Sequence, residues 1–132
     1  MNWKYIKPLI NEESISEYQN LVNYTFPKDF IDTIKLYNGG RPENKYFTTS
    51  INKERVLKSF LSFNHNDIET VWKVFDNLDD IIKTKYVPFA MDNFGNLICF
   101  AKNNQNIIFL DYETLQEENI CRSFNTFLNI LY

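Results

Sequence analysis

The sequence predicts a single α+β domain in which helices pack around an antiparallel β-sheet meander. Apolar residues recur at helical spacing near both ends of the chain and again in its middle. Three short apolar segments joined by turn residues precede the last helix. The 132 residues include three glycines and four prolines, so no linker divides the chain. We therefore expect one domain over residues 1–132.

Two helices are predicted in the first third of the chain. Ser14 and Glu17 have the spacing of a capping box, and a stripe follows them, formed by Ile15, Tyr18, Leu21 and Val22. Pro27 is expected at the first position of the second helix, with Asp29 in its first turn. The buried stripe of that helix is Phe30, Ile34 and Tyr37, with Ile31 beside it. The segment 38–40, Asn-Gly-Gly, is predicted to end it.

The middle of the chain gives a mixed pattern. Residues 46–51 alternate weakly and predict a short strand, whereas residues 54–63 fit either a strand or a helical turn. Asn66 and Glu69 have the spacing of a second capping box. One long helix is predicted after them, because apolar residues recur at three- and four-residue steps: Ile68, Val71, Trp72, Phe75, Leu78 and Ile82.

The meander is predicted from residues 87–91, 97–101 and 107–112, with connectors of hairpin-loop length. These strands are apolar at almost every position. Helices are therefore expected to cover one face, and a loop or a partner to cover part of the other. Ser123 is predicted to cap a closing helix, which turns four side chains inwards: Phe124, Phe127, Leu128 and Leu131.

Composition and charge narrow the function classes. Twelve Phe, eight Tyr and two Trp favour a folded core, and a net charge of −3 gives no support to nucleic-acid binding. The beginning of the chain has no secretory pattern and no segment could span a bilayer, so a cytoplasmic location and no membrane contact are expected. Cys99 and Cys121 are interpreted as reduced, buried thiols that act as small hydrophobic residues.

The residue pattern favours neither a catalytic set, nor a metal site, nor a cofactor. His65 is the single histidine and reads as a solvated loop residue, and no nucleophile elbow or phosphate-binding glycine loop is present. Residues 76–80 superficially resemble a calcium loop but lack its glycine and distal glutamate. Asp92 is explained by a turn, although a small hydrolase that pairs it with Asp111, placed on the third meander strand, is an alternative.

Three motifs, in order, resemble those of the SUKH superfamily. Residues 26–30 (Phe-Pro-Lys-Asp-Phe) with 37–40 (Tyr-Asn-Gly-Gly) are similar to its "L-P-x-D-Y … Y-N-G-G" helix. Residues 87–92 (Val-Pro-Phe-Ala-Met-Asp) with 95–96 (Gly-Asn) resemble its "I-P-F-A-x-D … G-D" hairpin, and residues 123–128 resemble its "S-F-x-x-F-L" helix. Phe26, Phe30 and Asn96 depart from the family's usual residues. Residues 41–84 match none of these motifs.

The resemblance implies an immunity function. The superfamily includes fungal cell-wall-assembly regulators and bacterial immunity proteins, and the latter are typically encoded beside toxins, often nucleases, which they neutralise by direct binding. A cognate protein toxin is therefore the expected partner, with a regulatory scaffold domain as the alternative. Tyr and Arg residues commonly anchor protein interfaces, and charged residues at the edge of an interface steer association. On these grounds, the candidate contact residues are Arg41, Tyr46, Asp76, Asp79, Asp80, Asp92 and Asn93.

Overall fold

The computed structural model describes residues 1–132 and confirms the predicted α+β class. The five helices are α1 (Glu13–Val22), α2 (Lys28–Tyr37), α3 (Val71–Asp76), α4 (Asp80–Lys85) and α5 (Phe124–Ile130). The nine strands are β1 (Trp3–Lys4), β2 (Arg41–Pro42), β3 (Tyr46–Thr48), β4 (Glu54–Val56), β5 (Ser59–Phe60), β6 (Tyr86–Met91), β7 (Leu97–Ala101), β8 (Ile107–Leu110) and β9 (Glu117–Cys121). None of the helices has the length and apolar character that a bilayer span requires.

The predicted meander forms the centre of a five-stranded antiparallel sheet with the order β5-β6-β7-β8-β9. The undecided segment 54–63 contains two short strands, β4 and β5, of which β5 is an edge strand of this sheet. The third meander strand ends at Leu110, so Asp111 lies in the turn after it and not on the strand. Strand β9 was not predicted, because its Glu-Glu-Asn-Ile-Cys sequence is half polar, as suits the other edge.

Both faces of the sheet are covered, which explains why its strands are apolar at almost every position. One face packs with α1, α2 and α5 in the larger core, where the ring of Phe30 lies 5.0 Å from Phe124 and 5.2 Å from Phe100 between ring centroids. The opposite face carries Cys99 and Ile108, which pack with Leu78 and Ile82 from the α3–α4 segment. The predicted inward side chains of α5 are confirmed for Phe124, Phe127 and Leu131, with Leu128 half-buried.

The helix boundaries near the N-terminus differ in part from the prediction. The capping box at Ser14 and Glu17 was wrong: α1 begins before Ser14, which is buried, and Asn11 Oδ1 accepts a hydrogen bond from Glu13 N at 3.0 Å. Leu21 is exposed, although the other members of its stripe are buried. Helix α2 begins at Lys28, so Pro27 is its extended N-cap and not its first residue as predicted, whereas Gly39 follows the end of the helix as expected, with a left-handed φ of +67°.

The predicted long helix is two short helices, α3 and α4. Thr70, and not Asn66, caps α3, since its side chain accepts a hydrogen bond from Lys73 N at 3.1 Å. Ile68 precedes the helix and is exposed. The helix then breaks because Val71 packs in the larger core, whereas Leu78 and Ile82 pack on the opposite face of the sheet. One straight helix cannot place a single apolar stripe against both faces of the sheet.

The cysteines are unpaired thiols in two strands. Cys99 is fully buried in β7 as predicted, whereas Cys121, at the end of β9, is half-buried. Burial raises the pKa of both thiols above the ordinary value. This environment keeps them protonated, as expected of small hydrophobic residues.

Tyr18→Phe is expected to leave the free energy of unfolding unchanged or to raise it by up to about 1 kcal/mol. The ring of Tyr18 is buried among aromatic side chains, but its hydroxyl has no hydrogen-bond partner, and burial raises its pKa. The matched control is Tyr112→Phe, because the Tyr112 hydroxyl donates to Asn77 O at 3.0 Å. The control should lose about 1 kcal/mol in urea unfolding. A larger loss of stability in Tyr18→Phe than in Tyr112→Phe would contradict the conclusion that the Tyr18 hydroxyl contributes no hydrogen bond.

Glu118 is expected to stabilise the fold in a pH-dependent way. Burial favours its neutral form, but hydrogen bonds from Arg55 at 3.1 and 2.5 Å, together with the charge of Arg55, outweigh this and lower the pKa of Glu118. The pair joins β4 to β9, and the guanidinium carbon of Arg55 lies 4.4 Å from the ring centroid of Phe109.

Because the pKa of Glu118 is lower in the folded state, its contribution is complete above the ordinary glutamate pKa of about 4.3 and is lost as the pH falls through the folded value. Glu118→Gln should therefore cost about 2–4 kcal/mol at neutral pH, and this cost should shrink in acid. Urea unfolding of the unmodified chain and of Glu118→Gln, from neutral to acidic pH, measures this difference in the free energy of unfolding. A cost that stays constant with pH would contradict the assignment.

Candidate protein-interaction site

The turn between β6 and β7, residues 92–96, projects from the sheet and is called here the hairpin tip. The side chain of Asp92 holds it: Oδ1 accepts hydrogen bonds from Phe94 N and Asn96 N, both at 2.8 Å, and Oδ2 accepts from Asn96 Nδ2 at 2.9 Å. Gly95 takes the left-handed φ of +86° that the turn requires. Asp92 is 3% exposed, so this predicted contact residue is corrected to a residue that builds the turn.

The neighbouring turn braces the hairpin tip. Asn96 Oδ1 accepts a hydrogen bond from Tyr112 N at 3.1 Å, which links the tip to the segment that follows β8. In that segment, Asp111 Oδ1 accepts from Glu113 N at 3.0 Å and from Thr114 N at 3.2 Å. Asp92 and Asp111, the carboxylates of the alternative hydrolase prediction, are thus each engaged in holding a turn.

Phe94 stands at the apex of the hairpin tip and is 83% exposed. The backbone N–H of this residue donates to Asp92, so the backbone that carries the ring is held in the turn. Exposed aromatic side chains are enriched at protein interfaces. Sequence reasoning missed Phe94, although a signal existed: a large apolar residue occupies a turn where Asn, Asp and Gly prevail.

An apolar groove lies on one side of the hairpin tip. It has a volume of about 240 Å³. Its apolar lining comes from the loop before α3, from α3, from the break after it, from the sheet and from the turn after β8: Ile68, Val74, Leu78, Met91, Leu97 and Tyr112. Gly95 of the tip lines this groove, and Ile68 at the edge of the groove is 87% exposed. A second depression, of about 390 Å³, lies between Phe94 and Glu113.

A basic cleft also adjoins the hairpin tip. It consists of two depressions of about 290 and 450 Å³ that share Tyr5, Arg41 and Lys58. Asn93 of the tip lines the smaller of the two. Asn93 of the tip thus lines the cleft and Gly95 lines the groove, and the groove meets the larger depression of the cleft at Ile68 and Glu69, which line both.

The structure brings some of the predicted contact residues together and separates others. Arg41 and Asn93 are exposed and line the same cleft, and Tyr46 is adjacent, with Lys45 Nζ 5.7 Å from its ring centroid. The acidic residues Asp76, Asp79 and Asp80 are exposed in a different place, at the junction of α3 and α4. There they flank Asn77 and Leu78, which line the apolar groove.

The single histidine lies outside this surface. His65 is exposed in the loop before α3, its ring stacks on Trp72 at 4.1 Å between centroids, and its Nε2 lies 3.8 Å from Glu17 Oε2. No group of three or more His, Cys, Asp and Glu side chains is arranged to hold a metal ion. The hairpin tip and its surroundings are suited to contact with another macromolecule, because they combine an exposed aromatic side chain on a held turn, an apolar groove and a charged cleft.

Comparison with known proteins places this chain in a family. A curated relative, the "SPbeta prophage-derived uncharacterized protein YokK" of Bacillus subtilis (strain 168), is 26% identical over 144 residues, which cover 92% of this chain and 74% of the relative. The family model SUKH_6, described as SMI1-KNR4 cell-wall, matches residues 12–128 and includes all three motif regions. The chain therefore belongs to the SUKH (SMI1-KNR4 cell-wall) family, in agreement with the resemblance that its motifs carry.

Proposed function

We propose that this chain is an immunity protein that binds a toxin in the cytoplasm and neutralises it by occlusion, with the hairpin tip at the centre of the contact. The observation that carries the proposal is Phe94, an aromatic side chain that is 83% exposed on a turn held by the buried Asp92. Such a side chain gains contact area on binding, and the turn that carries it is already ordered, so binding does not have to order the backbone there.

The surroundings of Phe94 support the same proposal. Productive interfaces combine a desolvated apolar centre with a polar rim. The apolar groove beside the tip provides the first, while the basic cleft and the acidic residues Asp76 and Asp79 provide the second. Membership of the SUKH family adds the functional context, since bacterial members of the superfamily typically neutralise toxins.

The proposal assigns the chain no catalytic role and no cofactor. The acids that a hydrolase would use, Asp92 and Asp111, accept backbone hydrogen bonds within their own turns. Occlusion needs only a stable surface and affinity for the toxin. The toxin class remains that implied by the family, often a nuclease.

Co-expression with the toxin encoded beside the gene tests the proposal. We expect this chain to restore growth of cells that produce the toxin, and to co-purify with it as a complex in size-exclusion chromatography. Failure of both rescue and complex formation would overturn the immunity function. A pull-down that recovers signalling proteins and no toxin would instead support the regulatory scaffold function.

A further inference from the structure

The basic cleft concentrates unpaired positive charge in a chain whose net charge is −3. Lys4, Lys7, Arg41 and Lys45 are exposed around it, and none of them makes a salt bridge. Lys58, which also lines the cleft, is the one basic side chain of its lining that has a carboxylate partner, Glu69. The four cations of the cleft are therefore available to an external anion.

Arg41 is held ready for such an anion. Its guanidinium carbon lies 5.0 Å from the ring centroid of Tyr5, and the pairing of β1 with β2 places Lys4 opposite Arg41. The guanidinium makes no hydrogen bond within the chain, so its N–H donors are free for a planar carboxylate. Stacking on the ring restricts the side chain and reduces the entropy lost on binding.

Tyr5 supports this arrangement at a cost in backbone strain. Its φ of +56° is in the left-handed region, which a bulky residue rarely adopts, and the residue is 66% exposed. Strained residues persist where the surrounding structure holds them, and they concentrate at binding sites. The strain places the Tyr5 ring where it lines both depressions of the cleft and supports Arg41.

Acidic side chains divide the positive charge of the cleft into separate positions. Lys58 Nζ pairs with Glu69 Oε2 at 2.6 Å, and Asp67 Oδ2 accepts a hydrogen bond from Ser62 Oγ at 2.6 Å. Glu43 lines the edge beside Arg41. The cations are therefore separate positions and not a continuous positive strip, which suits carboxylates spaced along a flexible peptide better than the closely and regularly spaced phosphates of a nucleic acid.

We propose that the basic cleft binds an acidic segment, rich in Asp and Glu side chains, of the protein that docks on the hairpin tip. The proposal rests on the proposed function, since Asn93 makes the cleft continuous with the tip. Arg41 is the main anchor, supported by Tyr5, and Lys4 and Lys45 provide the rim. The cleft would thereby fix the orientation of the partner around Phe94.

Fluorescence anisotropy with the full chain tests the proposal. The probe is a fluorescein-labelled peptide of alternating Glu and Gly residues, compared with a thymidine oligonucleotide of equal charge at low ionic strength. Arg41→Gln should weaken peptide binding about tenfold, because it removes charge-assisted hydrogen bonds. The matched control is Arg122→Gln, an exposed arginine without a salt bridge at another place, which should weaken binding by less than about twofold.

The possible outcomes separate the alternatives. Equal losses in the two variants, or no peptide binding by the unmodified chain, would overturn the proposal. Oligonucleotide binding at least as tight as peptide binding would assign the cleft to nucleic acid instead. Melting temperatures should match among all variants, because Arg41 is exposed and makes no hydrogen bond. The assay contains no toxin, so its failure is distinct from failure of the immunity function.

Discussion

Replacing Asn38 with alanine is expected to lower the free energy of unfolding by about 3–5 kcal/mol. Asn38 is 1% exposed, and its side chain joins three parts of the chain. Its Nδ2 donates to Lys7 O at 2.7 Å and to Ser62 Oγ at 2.9 Å, while its Oδ1 accepts from Phe63 N at 2.8 Å. Alanine would leave the buried N–H of Phe63 without a partner, and this is the main cause of the loss.

Urea unfolding of matched variants measures the effect. Asn38→Asp should also destabilise strongly, because the carboxylate cannot donate to Lys7 O and would be a charge in a buried position. The control is Asn20→Ala, an exposed position in α1, where a change within about 0.5 kcal/mol is expected. Equal effects at Asn38 and Asn20 would show that the hydrogen bonds of Asn38 are unimportant to stability.

Asn38 also illustrates how far the sequence could predict the fold. The Asn-Gly-Gly segment correctly predicted the end of α2, because a glycine in the left-handed region is a local requirement. The partners of the Asn38 side chain are 24 to 31 residues away in the chain, so no local pattern could reveal them. Helix ends and hairpins are local features, whereas a buried polar network depends on the completed fold.

The prediction of one long helix over the α3–α4 segment was wrong for a related reason. Its apolar residues satisfy helical spacing throughout, and this spacing carries no information about which side of the sheet each residue meets. Val71 and Leu78 belong to different clusters, on opposite faces of the sheet, and the helix breaks between them. Strand β9 escaped prediction because an edge strand needs few apolar residues.

The candidate site was predicted only in part. Arg41 and Asn93 were chosen from residue type and proximity to the motifs, and they line one cleft. Asp92 was taken as a contact residue because it is charged and lies in a turn, but the same turn buries it. Phe94 was not among the predicted contact residues, although its place in a turn was a signal, and its exposure of 83% is known only from the folded hairpin.

Replacing Phe94 with alanine is expected to weaken toxin binding by about 2–4 kcal/mol, the loss typical of a central interface residue. The ring is already exposed in the free protein, so its removal should change the free energy of unfolding by less than about 0.5 kcal/mol. Loss of affinity without loss of stability is the combination that identifies a contact residue. Isothermal titration calorimetry with the co-purified toxin measures the first quantity, and urea unfolding measures the second.

Leu36→Ala is the matched control, because Leu36 is 65% exposed on α2 and lines none of the depressions around the hairpin tip. It should leave affinity unchanged. Asp92→Ala keeps Phe94 but removes the hydrogen bonds that hold its N–H and that of Asn96. If the turn presents Phe94 in a fixed position, this variant should also weaken binding, through the entropy lost when a loosened tip is ordered. Unchanged affinity in Phe94→Ala would move the interface away from the hairpin tip, because no other side chain at its apex offers a comparable apolar surface.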